Sequence, residues 1–182
     1  MPVTIEKTGK WDDFERELVA FADLGLAQVG IGVPDVKHEG KGGQPSLPDL
    51  VDMLEFGYTK YSVVYPPRPV FRPTMDANEA AYLDLVRDAL KAFYKSGGSV
   101  ATLKSELSEL AQMMVDDVLD TIERQEFEGL AEATIQKKGH DMAWLETGQI
   151  MDSIQGVVKI EASVDGARRL RDALGRFVKL GD

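Results

Sequence analysis

The chain has 182 residues, 43% hydrophobic and 29% charged, with a formal net charge of −10, enough for one domain with a real core or a domain with extensions. The absence of cysteine excludes disulfides, thiolate nucleophiles and cysteine metal sites, and His38 and His140 are too few for a histidine-rich metal site. No run approaches the roughly 18 to 20 apolar residues of a membrane span, the opening MPVTIEKTGK lacks the apolar core of a secretion signal, and the acidic balance argues against a protein that coats nucleic acid.

In chain order, Val3 to Lys7 (VTIEK) alternates apolar and polar residues and predicts a short strand. WDDFERELVAFADLG follows, with Trp11, Phe14, Leu18 and Phe21 at helical spacing, an acidic opposite face and Gly25 as terminator. Ala27 to Val33 (AQVGIGV) places β-branched residues between glycines and predicts a second strand. The next dozen residues, PDVKHEGKGGQP, are turn-formers and charges, which predicts a loop over 34–46. SLPDLVDMLEFG predicts a short helix, with Ser46 as N-cap, Pro48 in the first turn and Gly57 after the last.

Val64 to Met75, VYPPRPVFRPTM, predicts a stiff arm. Pro66, Pro67, Pro69 and Pro73 hold the backbone near extended or polyproline geometry. Arg68 and Arg72 can bond carboxylates bidentately, and Val70 and Phe71 offer apolar anchors. Two readings stand: a connector docked on its own domain, or an arm docked on another subunit.

Two longer helices are predicted next. The first, from Met75, places Leu83, Val86, Leu90 and Phe93 three and four residues apart and closes at SGG. The second, from about Ser99, carries Leu103, Leu107, Leu110, Met114 and Ile122 on one stripe. The short loop between them predicts antiparallel neighbours. Irregular residues, a helix near TGQIMDSI capped by Thr147 with Asp152 outward, and a third strand VVKIEAS complete the domain. The tail from Gly166 carries five Lys or Arg against two Asp. The expected fold is α+β, a small mixed or antiparallel sheet packed against two long antiparallel helices, with an extended loop and arm. Residues 1–163 are read as one domain and 164–182 as a basic extension.

Catalytic chemistry finds little footing. His140 beside Asp141, with Glu126, Glu128 and Glu132 upstream, lacks a nucleophile signature, and a loop histidine beside a helix end is the simpler reading. Neither VGIGVP nor EGKGG completes a phosphate-loop pattern. The residues predict no catalytic, cofactor or metal site. More informative are the nine Asp or Glu between Ala101 and Glu132, against Lys104 and Arg124. They form a solvated face, a surface that repels polyanions, or one that pairs with a basic neighbour in the same chain or another copy.

The order of VGIGVP, VDMLEFG, PPRPVFRPTMDAN and ATIQKKGHDMAWLETGQIMDSI resembles the neck and tail-completion proteins of long-tailed bacteriophages. In that family a helix ends in E-[FY]-G, matched by Glu55, Phe56 and Gly57. An R-P-F-x-R-like segment follows, matched by Arg68, Pro69, Val70, Phe71 and Arg72 with Val70 as a one-residue insertion. A T-x-x-x-K segment matches Thr134 to Lys138. L-x-x-T-G-x-[LIM]-x-x-S-I matches Leu145, Thr147, Gly148, Gln149, Ile150, Ser153 and Ile154, with Leu145 one residue nearer the threonine than the pattern. The likeness spans about residues 26 to 162. It departs at Leu54, where a histidine is frequent, and in the basic tail.

The resemblance implies a non-enzymatic virion protein, assembled in the host cytoplasm, whose copies form a six-fold ring at the head–tail junction. Its partners would be head-completion (stopper) and tail-tube or tail-terminator proteins, with double-stranded DNA passing through the lumen and no membrane contact. Glu55, Phe56, Arg68, Val70, Phe71 and Arg72 become candidates for the assembly interface, with Arg68 and Arg72 on carboxylates of a neighbouring subunit or ring. Asp116, Asp117, Asp120 and Glu123 become candidates for a lumen face that repels phosphates. The alternatives are a tail-terminator or minor tail subunit and, outside that class, a cytoplasmic enzyme using His140.

Overall fold

The computed structural model describes residues 24–35, 45–124, 129–144 and 148–162. Along them lie β1 (Leu24–Gly32), α1 (Leu47–Phe56), β2 (Tyr58–Lys60), β3 (Val63–Tyr65), α2 (Phe71–Lys95), α3 (Val100–Arg124), α4 (Glu132–Lys138), α5 (Gln149–Ser153) and β4 (Gln155–Ala162). β1 pairs with β4, and β2 with β3, in two small antiparallel sheets; with the two long helices packed against a sheet, the fold is α+β. The strands expected near Ala27–Val33 and VVKIEAS are β1 and β4. Those expected at Val3–Lys7, the helix body from Trp11, most of the 34–46 loop and the basic tail lie outside the described residues.

Local chemistry sets the helix ends. At α1 the Ser46 hydroxyl accepts from the Asp49 N–H at 3.4 Å, Pro48 sits in the first turn, and Gly57 follows at φ 72°. A side chain at Gly57 would be strained there, and its Cβ would stand 2.7 Å from the Tyr65 carbonyl oxygen. α2 ends in a double closure: Gly98 N–H donates to the Phe93 carbonyl at 2.9 Å and Gly97 N–H to that of Tyr94 at 3.0 Å, the Schellman pattern. Ser99 then caps α3, accepting from the Thr102 N–H at 3.2 Å.

Compactness divides the chain into two units. In the first, residues 30–82 and 111–157, the core comprises Leu47, Val70, Val115, Val118, Ile122, Ala143, Trp144, Ile150 and Ile154. Trp144 is the largest fully buried side chain among the described residues. β4 approaches α3 closely in this unit: a Cβ on Gly156 would lie 2.7 Å from the Ala111 Cβ and 3.0 Å from its backbone carbon. In the second unit, which includes residues 83–110, Ala89, Phe93, Leu103, Leu107 and Leu110 are buried.

Five expectations are corrected. Gly25 belongs to β1 rather than ending a helix. Residues 64–75 are not one extended arm, since Val64 and Tyr65 close a hairpin, Pro66 to Val70 is irregular, and α2 begins at Phe71. Leu83 is 55% exposed, so the inward stripe of α2 runs Tyr82, Val86, Ala89, Phe93. Glu132–Lys138, read as irregular, is helical. The N-cap position of α5 is Gly148, with no side-chain cap bond; Thr147 lies outside the described residues.

Candidate functional site

The residues of the E-F-G and R-P-V-F-R segments meet in the first unit around one carboxylate. Glu55, 3% exposed, stands in the last turn of α1 and receives three backbone donors from Val70 and the first residues of α2. Its Oε2 accepts from Val70 N–H at 2.7 Å and Phe71 N–H at 3.1 Å, and Oε1 accepts from Arg72 N–H at 3.1 Å. Pro73, the next residue, has no N–H to satisfy, and Thr74 N–H makes the first bond of the helical ladder, to Val70 C=O at 3.2 Å. The unpartnered donors of a helix start are thus met by an anion placed where the helix dipole favours one.

Arg72 closes the motif from outside. Its Nε donates to Glu55 Oε1 and its Nη2 to the Glu55 carbonyl, both at 3.1 Å, and its guanidinium lies 4.5 Å from the centre of the Phe56 ring. The Arg72 side chain remains 56% exposed. Arg68 is buried; its N–H donates to Leu54 C=O at 2.7 Å and its Nη2 to Gly129 C=O at 3.3 Å. Trp144 Nε1–H donates to the Arg68 carbonyl at 3.2 Å, and Phe71 tilts against the Trp144 ring at 6.0 Å between centroids. Of the two readings of this stretch, docking on its own domain is what the structure displays. Val70 is wholly buried, Phe71 partly so, and Phe56 is 60% exposed.

Beside this cluster stands the β2–β3 hairpin, which the sequence reading missed. Its register is Tyr58 opposite Tyr65, Thr59 opposite Val64 and Lys60 opposite Val63. The Tyr58 and Tyr65 rings stack at 4.3 Å and 3°. The turn residues Tyr61 and Ser62 both have positive φ, 51° and 62°. Tyr61 is 90%, Val64 73% and Val63 52% exposed.

The acidic residues of α3 divide. Asp116, Asp120 and Glu123 are exposed, whereas Asp117 accepts from the Tyr82 hydroxyl at 2.6 Å. Burial, then the hydrogen bond and charge of Asp117, raise the Tyr82 phenol above its ordinary range, with a hydrogen bond from Asn78 opposing. One turn on, the buried Thr74 hydroxyl donates to Val70 C=O and lies 2.7 Å from that of Thr121. His140 follows the left-handed Gly139 beyond α4, and its Nδ1 has no hydrogen-bond partner among the described residues. Among the described residues no group of three or more His, Asp or Glu could hold a metal ion, and no helix is long and apolar enough to cross a membrane. Comparison with protein-family models, curated proteins and solved structures finds no significant match.

Proposed function

We propose that the chain is a structural virion protein whose copies form a six-fold ring at the phage head–tail junction, as a neck or tail-completion component. The ring joins head-completion proteins to the tail tube and lets double-stranded DNA pass. The observation that carries this reading is the convergence of segments that the sequence resemblance had placed only in order. Glu55 of the E-F-G segment holds the start of the R-P-V-F-R helix, and Trp144 of the last segment bonds Arg68. Motif residues far apart in the chain build one support, and beside it stands an exposed apolar hairpin of the kind an assembling subunit presents.

A ring needs each subunit to offer one surface to a different surface of the next, and a DNA passage needs walls that do not hold phosphates. Asp116, Asp120 and Glu123 have the sign for the second demand and equally the sign for meeting a basic neighbour. Light scattering on the purified protein, alone and with isolated tail tubes, tests the reading. A discrete ring, or a monomer that assembles on the tube end, is the expected result; a monomer indifferent to tails overturns it. Position in the particle separates a neck ring from a tail-terminator ring.

A further inference from the structure

The β2–β3 hairpin is built at some cost to the isolated chain. Two strands of three residues are marginal in water. Two-residue hairpin turns with both residues at positive φ favour Asn-Gly or Asp-Gly, yet here they are Tyr61 and Ser62, at φ 51° and 62°. Left-handed geometry at a large non-glycine residue is strained, and this strain displays an aromatic ring 90% exposed at the tip. Val63 and Val64 are displayed beside it, 52% and 73% exposed. None of the three belongs to the buried core of the described residues.

Charge narrows the choice of occupant. The hairpin, residues 58–65, contains Lys60 and no Asp or Glu, so the remaining chain holds 20 of the 21 basic residues and all 31 acidic ones. A second copy of this chain is therefore an acidic partner for a basic, apolar hairpin. On such a copy, α3 offers an exposed stripe in which Met113, 41% exposed, precedes Asp116, Asp120 and Glu123. Asp120 and Glu123 have no ion pair among the described residues, and Asp116 accepts only from Gln112, at 2.9 Å. Lengths agree as well: three strand residues span about 10 Å, and Asp116 to Glu123 along a helix spans about 10 Å. Pairing two hairpins face to face would instead bring like-charged Lys60 side chains together.

We propose that the hairpin of one copy docks on the Met113–Asp116–Asp120–Glu123 stripe of a second copy, with Val63 and Tyr61 against Met113 and Lys60, opposite Val63 on the same hairpin face, among the carboxylates. The contact is heterologous, so each copy both gives a hairpin and receives one. The inference rests on the ring reading and assigns the stripe to the seam between copies rather than to the lumen.

The cysteine-free chain makes the test direct. Val63→Cys and Asp116→Cys variants, each otherwise wild type, are mixed in equal amounts and mildly oxidised. The expected product is the mixed disulfide dimer, several-fold above either homodimer. Lys60→Glu should weaken self-association at least tenfold by light scattering, and adding Asp116→Lys and Asp120→Lys to the same chain should restore much of it. A ring in which Val63→Cys homodimers dominate, or in which the mixed dimer shows no excess, overturns the docking while leaving the ring standing. A protein that stays monomeric alone and with tail tubes overturns both.

Discussion

At the scale of single residues, Glu55 concentrates more consequence than any other side chain in the described chain. It is a buried carboxylate whose two oxygens serve three backbone donors and one guanidinium. Glu55→Ala leaves those donors without partners. A lost cap costs about 1 kcal/mol and a buried unsatisfied donor about 1–3 kcal/mol, so a loss of about 2–4 kcal/mol is expected in urea denaturation. Glu55→Gln keeps one acceptor oxygen but turns an amide N–H₂ toward N–H groups, and should fall between. Tyr82 gives a prediction in pH. Its folded phenol holds its proton more tightly than the unfolded one, so its contribution is full below the unfolded value of about 10 and declines as pH rises above it. Tyr82→Phe should flatten part of the loss in stability that sets in above about pH 10, measured by urea midpoints against wild type.

At the scale of elements, legibility followed the range of the interaction that sets each boundary. α1 could be read because Ser46, Pro48 and Gly57 act on their own neighbours, and the turn from α2 to α3 because Ser96 to Ser99 carry both closures. The start of α2 could not be read, because its cap is supplied from 15 residues upstream and Pro73 resembles a breaker when that carboxylate is unseen. The hairpin was hidden by its turn, since Tyr-Ser lacks the Asn-Gly signal, although the β-branched and aromatic run YTKYSVVY was there to weigh. Of the candidate site, Arg68 and Arg72 were legible as residues that bond carboxylates and Glu55 only through the family resemblance, and their partners within the chain depend on a fold no spacing reveals. Two glycines test the element packing. Gly156→Val forces atoms into Ala111 and should cost about 1–3 kcal/mol; adding Ala111→Gly should recover part of it, a non-additive pair in a denaturation cycle. Gly57→Ala meets both a left-handed backbone and the Tyr65 carbonyl, and should cost at least about 1 kcal/mol.

At the scale of the whole molecule, the net charge of −10 and the basic hairpin pull association in opposite directions. Copies repel on average, and salt that screens this repulsion promotes indiscriminate contact. A contact made through Lys60 and carboxylates weakens under the same screening. Light scattering from about 50 mM to about 500 mM salt should therefore show the specific oligomer losing mass as salt rises; a steady gain would point to nonspecific association. The cap on α2 carries a further consequence, one of timing. Glu55 reaches Val70 across 15 positions, whereas Trp144 reaches Arg68 across 76. Closing a loop of about 10 residues takes about 10–100 ns, far less than making distant contacts. During synthesis α1, the hairpin and the first turn of α2 can therefore engage before Trp144 has been made. The carboxylate then nucleates the long helix, and the tryptophan locks onto a ledge already built. In stopped-flow refolding of a Trp11→Phe variant, which leaves Trp144 as the one tryptophan, helical circular dichroism should accordingly develop ahead of the fluorescence change that accompanies burial of Trp144.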